Sequence, residues 1–406
     1  MAIKPSTIAL LTGVAIVGVI SFTWFRTAAR TGEFTTLTPV FGGTCTDVGS
    51  MAGAEDIVLD RTAGKMFISS DDRRAVMTGA PKRGAIYVMP IWGADAISAR
   101  LDATGGVPAA FHPHGISRFV DAQGKATLMV VNHPKGAMDY TGTSVELYDE
   151  APDNTLTHRR TVTIAGLTRI NDIVATGPDS FYATSESDLA QGSFSESLSI
   201  ITDSDRSGAI WHFDGATGRK LEGGIGFANS LALTKDGKTL YASGTTSRAI
   251  FIYDRDPATH VLKRRDVAFV GTGVDNLDVE DDGRLWIATH PKLLSFIQHA
   301  SNPKKAAPSQ VIILEPAANG QGGKIDQVYL KDGTDGFSGA TIAMRDGDTM
   351  VLGSAFEPGI RVCKLPAVWK QSESHPAQRL LDTDRDFVRQ QEEKAAKEAA
   401  AKAASQ

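Results

Sequence analysis

Residues 228–243 read ANSLALTKDGKTLYAS. An apolar run breaks at Lys235-Asp236-Gly237 and resumes as TLYAS. Asp-Gly admits the positive φ that a tight hairpin needs, so the segment reads as two strands and a turn. Five other segments share the design: AEDIVLDRTAGKMFISS from Ala54, HGISRFVDAQGKATLMVVNH from His114, NDIVATGPDSFYATSE from Asn171, DNLDVEDDGRLWIATHP from Asp275 and SGATIAMRDGDTMVLGS from Ser338. Further strand-like runs lie between them, among them AIYVMPI at Ala85, SVELYDE at Ser144, AIWHFD at Ala209 and AIFIYDR at Ala249. Repeats at this spacing suit one four-stranded blade each. The predicted fold is therefore all-β, a six-bladed β-propeller. No stretch between Gly32 and Leu365 keeps a 3.6-residue period over three turns.

Working outward, the propeller is expected over residues 36–366 of the 406. Before it, STIALLTGVAIVGVISFTWF (residues 6–25) carries no charge and has the length a bilayer core demands. Residues 1–30 read as an uncleaved signal anchor. The one small-residue cleavage site, near Ala28–Ala29, sits behind an arginine and is poor. Beyond, residues 367–406 end in DFVRQQEEKAAKEAAAKAASQ, rich in helix formers but without an apolar stripe, and read as a polar helical tail. Net charge is −5 with no basic stripe, which argues against a nucleic-acid partner.

The repeats begin with polar residues where a buried inner strand should be apolar. Glu55–Asp56, Asn171–Asp172, Asn229 and Asp275–Asn276 stand at one place in the design. Asp and Asn are common in turns, but matched positions in four blades of one ring would converge on the central channel. Oxygen donors gathered there need a cation among them, and hard oxygen ligands select calcium or magnesium. Neighbours on a strand point opposite ways, so one member of the 55/56 and 171/172 pairs is free to serve a second ion.

Cys45 and Cys363 are the only cysteines. Two separate buried thiols are one reading; their place at the two ends of the ring favours a disulfide joining first and last strands. A bond would put the domain on the extracellular, lumenal or periplasmic side of the membrane, or in the secreted fraction if the N-terminus is cleaved.

HPHGISRF, VVNHP, NDIVATGPDSFYAT, FANSLALTKDGKTLYAS, VDNLDVEDDGRLWIATHP and GAEDIVLDRTAGKMFISS resemble the serum paraoxonase/arylesterase family from about Cys45 to Leu365. The resemblance implies hydrolysis of lactones and aryl esters with two calcium ions. Glu55, Asn171, Asn229, Asp275 and Asn276 would hold the catalytic ion. Asp56, Asp172 and the backbone carbonyl of Ile116 would hold the structural one. His114 and His133 would be the catalytic pair, and Cys45–Cys363 the ring-closing disulfide. Family members also keep a hydrophobic N-terminus to sit on lipid, which makes the membrane the second expected partner beside the small-molecule ester.

Three features depart from the family. SESDL follows Ala183–Thr184, with Ser187 where a histidine is usual; the insert DLAQGSFSESLSIITDSDRSG is polar and lacks the family's aromatics; and the loop after the first blade, DDRRAVMTGAPKRG, is basic. The expected chemistry is metal-assisted ester hydrolysis with His114 as base, or else Asp275 or Glu55. A gluconolactonase-like enzyme with one ion and no histidine pair, or a non-enzymatic binding propeller, are the alternatives. His290 is expected near the channel mouth; His112, His158, His212, His260, His299 and His375 read as surface or packing residues.

Overall fold

The computed structural model describes residues 5–91, 101–102, 108, 110–136, 139–317 and 323–367. It contains six four-stranded antiparallel sheets. Their inner strands are Ala54–Asp60, Pro113–Val120, Ile170–Ala175, Ala228–Leu233, Gly273–Val279 and Ala340–Asp346. Each touches the inner strands of both neighbouring blades, and the first touches the sixth, so the ring is closed. Each of the six repeats supplies the two inner strands of one blade: Ala228–Leu233 pairs with Thr239–Gly244, as the Asp-Gly turn requires. The expected tail lies outside the described residues.

The core is distributed between blades rather than gathered at a centre. Trp286, Val311 and Tyr329 of blade 5 pack on Ala343, Leu352 and Cys363 of blade 6. Equivalent layers lie between the other neighbours. Strands covered on both faces read as continuous apolar runs; Leu285–His290 is buried throughout. The sixth blade takes its outermost strand from the other end of the chain. Thr44–Gly49 lies antiparallel to Gly359–Lys364, with Cys45 opposite Cys363 and bonded to it.

Among the described residues there are also four helices: α1 (Pro5–Arg30), α2 (Arg73–Met77), α3 (Phe194–Thr202) and α4 (Leu293–Ser301). The last three join the second and third strands of blades 1, 3 and 5. The two loops that depart from the family pattern are therefore internal to blades 1 and 3, not connections after them. Inner strands start, and second strands end, at the face where the polar pairs lie, so α2, α3 and α4 stand on that face. The end of α1 docks there too. Thr27 and Ala28 are buried. Arg248 donates to the Arg30 carbonyl, Leu293 N donates to Thr31 O at 3.1 Å, and the Glu33 carboxylate accepts from Ser295 N and Oγ at 3.0 and 2.8 Å. The boundary expected at residue 30 thus falls within a set of contacts. Upstream, Thr12–Arg30 is long and apolar enough to cross a membrane, and little of it is covered. Met77, Phe194, Leu198, Ile297 and Phe34 add exposed apolar side chains to this face.

Candidate metal centre and active site

Pairing slips at the head of all six inner strands: between Ala54 and Asp56, Pro113 and Ile116, Ile170 and Ile173, Ala228 and Leu231, Val274 and Leu277, and Ala340 and Ile342. The residues set free are Glu55, His114–Gly115, Asn171–Asp172, Asn229–Ser230, Asp275–Asn276 and Thr341. A bulge bends its strand and re-aims the side chains on it. Simple alternation along a strand, expected for the 55/56 and 171/172 pairs, gives way to this device; the two members of each pair still diverge to different partners.

One set of oxygens has no partner. Glu55 Oε2, Asn171 Oδ1, Asn229 Oδ1 and Asn276 Oδ1 are buried and accept no hydrogen bond. Three of the four are held from behind. Asn276 Nδ2 donates to Glu55 Oε1 at 2.8 Å and to the Glu55 carbonyl at 3.2 Å. Asn171 Nδ2 donates to Glu186 Oε1 at 2.9 Å. Asp275 Oδ2 lies 2.6 Å from His290 Nε2. Buried polar oxygens are rarely left unsatisfied. Burial pushes Glu55 up to about 8 against the opposing pull of Arg73, and the charge of Asp275 adds to the rise. Four orphaned acceptors, one of them on Glu55, together with the carboxylate of Asp275 fit a hard divalent cation. Among the described residues no three His, Cys, Asp and Glu side chains form a metal cluster; most of this donor set is amide.

A second set is satisfied within the protein. Asp56 accepts from Ile57 N at 2.8 Å and from Ile116 N, in the next blade, at 2.7 Å. Asp172 accepts from Ile173 N at 2.7 Å, Ser230 Oγ at 2.7 Å and Leu231 N at 2.9 Å. Ile116 thus presents its N–H to Asp56, whereas its carbonyl was the expected ligand. Burial, then the charge of Asp172, holds Asp56 well above the carboxylate range; burial takes Asp172 to about 7. Gly115 lies against this set. A Cβ there would stand 2.5 Å from Asp172 Oδ1 and 2.7 Å from the Asn171 carbonyl.

Two imidazoles adjoin the orphaned oxygens. His114 and His133 have ring centroids 5.0 Å apart, and His114 Nε2 is 3.6 Å from Glu55 Oε1. His133 Nε2 lies 2.7 Å from the Ile170 carbonyl, which assigns the proton to Nε2 and leaves Nδ1 bare. Burial takes His133 to about 4. Burial and then the charge of Arg73 hold His114 well below the usual imidazole range. Both rings are neutral at neutral pH.

Several neighbours were not anticipated. Tyr140 packs edge-on to His133 at 5.3 Å and bonds to Glu186. The guanidinium of Arg169 lies 4.8 Å over the Tyr140 ring. Arg73, from the basic loop, is 4 % exposed. His112, read as a surface or packing residue, is buried and bonds through Nδ1 to Asp71 at 2.8 Å. His299 and His212 are buried packing residues, and His375 lies outside the described residues. The signals for Glu186 and Arg73 were in the sequence, as a carboxylate closing the third repeat and a pair of arginines after the first. Nothing in their spacing said that they fold inwards.

A family model described as Arylesterase matches residues 62–365. Serum paraoxonase/arylesterase 1 of Mus musculus is 29 % identical over 338 residues, covering 82 % of this chain and 92 % of its own. Serum paraoxonase/lactonase 3 of Mus musculus is 28 % identical over 321 residues, covering 76 % and 85 %. Among solved structures, a luciferin-regenerating enzyme superposes with a TM-score of 0.51 at 14 % identity, over 81 % of this chain and 97 % of that one.

Proposed function

The chain belongs to the arylesterase family, and from that premise we propose that it hydrolyses carboxylic esters and lactones with calcium held in the propeller channel. The observation that carries the reading is the set of four buried, unpartnered oxygens on Glu55, Asn171, Asn229 and Asn276. With Asp275 they would hold the catalytic ion. Asp56, Asp172 and the Ile116 carbonyl would hold a structural one. The catalytic ion, when bound, supplies Lewis-acid polarisation of the ester carbonyl.

The protein's own groups do the rest. His114, neutral and with Nδ1 lacking a partner, takes the proton of the attacking water there. His133 is pinned by its bond to the Ile170 carbonyl and keeps the neighbouring ring in place. His290 holds Asp275 by one oxygen. Asn276 and Glu186 hold Glu55 and Asn171 by one side-chain atom each, which leaves the other oxygen of each free for the ion. The test is a panel of lactones and aryl acetates assayed with and without calcium. Hydrolysis that requires calcium supports the reading; hydrolysis indifferent to it, or none on any ester, removes it.

The same reading makes α1 a membrane anchor and the domain at 36–366 an independent unit outside the reducing cytosol. The apolar, uncovered span Thr12–Arg30 supports the first. The Cys45–Cys363 bond supports the second. Extraction from membranes by detergent but not by carbonate or high salt checks it. Release by high salt would make α1 a surface contact only.

A further inference from the structure

We propose that Arg73 recognises an anionic group on the substrate, so that this channel selects esters and lactones bearing a carboxylate or phosphate over neutral ones. The inference rests on the hydrolase reading for the word substrate, but its geometry is independent of turnover.

Arg73 is the first residue of α2, whose N-cap Asp72 accepts from Ala75 N at 3.0 Å. Two bonds anchor it at the head of the first inner strand. Its own N–H donates to the Asp71 carbonyl at 2.8 Å, and Nη1 donates to the Gly53 carbonyl at 3.2 Å. Gly53 is required for this approach: its φ is +62°, and a Cβ would overlap the Asp71 carbonyl. Nη2 is buried and has no partner. Among the described residues no carboxylate forms an ion pair with it. Nη1 is thus bonded two residues before Glu55, the carboxylate beside His114, and the Arg73 charge acts on Glu55, His114, His133 and Tyr140.

A buried, unpaired guanidinium is costly, and native proteins supply it with an anion or a full set of acceptors. Neither neighbouring carboxylate pairs with it. Asp71 turns Oδ1 to His112 at 2.8 Å and leaves Oδ2 without a partner. Glu55 is held by Asn276 and, in the proposed loaded state, shares one divalent ion with Asp275. Two divalent ions would neutralise Glu55, Asp275, Asp56 and Asp172; Glu186 faces Arg169, whose Nε lies 3.7 Å from Oε2. Asp71 balances the charge in sum but makes no ion pair with it, so Arg73 is left with an open Nη2. Its planar fork matches a carboxylate or phosphate.

The experiment compares a monophenyl ester of glutaric acid with its methyl-capped, neutral form on the calcium-loaded full chain. Wild type is expected to favour the anionic ester in kcat/KM by about tenfold or more. Arg73→Gln should cut that ratio at least about tenfold, mainly through KM, and Arg73→Lys should restore part of it, as a point charge without the fork. An equal loss on both esters would make Arg73 structural and overturn the proposal, as would a wild-type preference for the neutral form. Should Arg73→Gln fail to fold, glutarate and 1,5-pentanediol are compared on wild type and Arg73→Lys by calorimetry. Binding of glutarate alone, weakened in Arg73→Lys, supports the proposal; binding of neither, or of both alike, overturns it. If no ester is turned over, the hydrolase reading fails while the calorimetric result still decides the role of Arg73.

Discussion

The same six bulges carry two sets of polar groups that have solved the problem of burial in opposite ways. Asp56 and Asp172 are tied by backbone N–H groups, two of them from the next blade, and keep lone pairs for the proposed structural ion. Ser230 extends the chain of contacts by accepting from Leu277 N at 3.2 Å, and Thr341 closes it by donating to the Glu55 carbonyl at 2.7 Å. These residues staple blade to blade. Glu55, Asn171 and Asn276 use a nitrogen or one oxygen for internal bonds and leave the remaining oxygen bare, and Asn229 Oδ1 is bare beside them. The difference teaches that a repeated bulge can serve architecture and chemistry from adjacent positions: one residue ties both oxygens to the fold, its neighbour keeps one bare for a ligand.

The comparison breaks most sharply if the bare oxygens need no ion. Exhaustive chelation is expected to lower hydrolysis about 10³-fold or more and to lower the melting temperature, since an ion that binds only the folded state stabilises it; readdition of calcium should restore both. Next, His114→Gln should reduce kcat/KM by about 10² to 10⁴, the usual worth of a general base, with calcium affinity near that of wild type and a smaller effect from His133→Gln. Full activity in the His114 variant would move the base to Asp275 or Glu55. Third, Asp172→Ala would strand two backbone N–H groups and the Ser230 hydroxyl, and should cost about 3 to 5 kcal/mol in denaturant unfolding. Asn229→Ala should instead weaken calcium binding with little change in stability. Equal effects of the two on stability would erase the distinction. The smallest effect is expected at the seam: Gly115→Ala must push against Asp172 and should cost about 1 to 3 kcal/mol, without the loss of calcium affinity seen at Asn229.

The six-fold repeat was legible because each hairpin is local and its turn chemistry is written in Asp, Gly and Lys. The polar pairs were legible because they interrupt an apolar strand at a fixed place. The bulges were not, since a register slip is a property of two strands and leaves no mark on one. That the side-chain oxygens of Asn171 and Asn276 are free depends on partners of their nitrogens 15 and 221 residues away. Arg73 was visible only as basic character in a loop; that it turns inward follows from the Gly53 carbonyl and the turn of α2, both tertiary facts. Helices α3 and α4, at nine residues each, are too short to impose a period that a sequence scan would register.

The closing strand has a consequence in time. Thr44–Gly49 leaves the ribosome among the first residues of the domain, while Cys363, its partner's cysteine, follows 318 residues later. At about 5 to 20 residues per second that is roughly 16 to 64 seconds of synthesis. Throughout that interval blade 6 is incomplete, and the first strand waits with an open edge and an unpaired thiol. A nascent chain stopped before Gly359 lacks the strand that pairs with Thr44–Gly49 and cannot form the Cys45–Cys363 bond. Termination before that point should yield a protease-sensitive product whose first strand is unpaired.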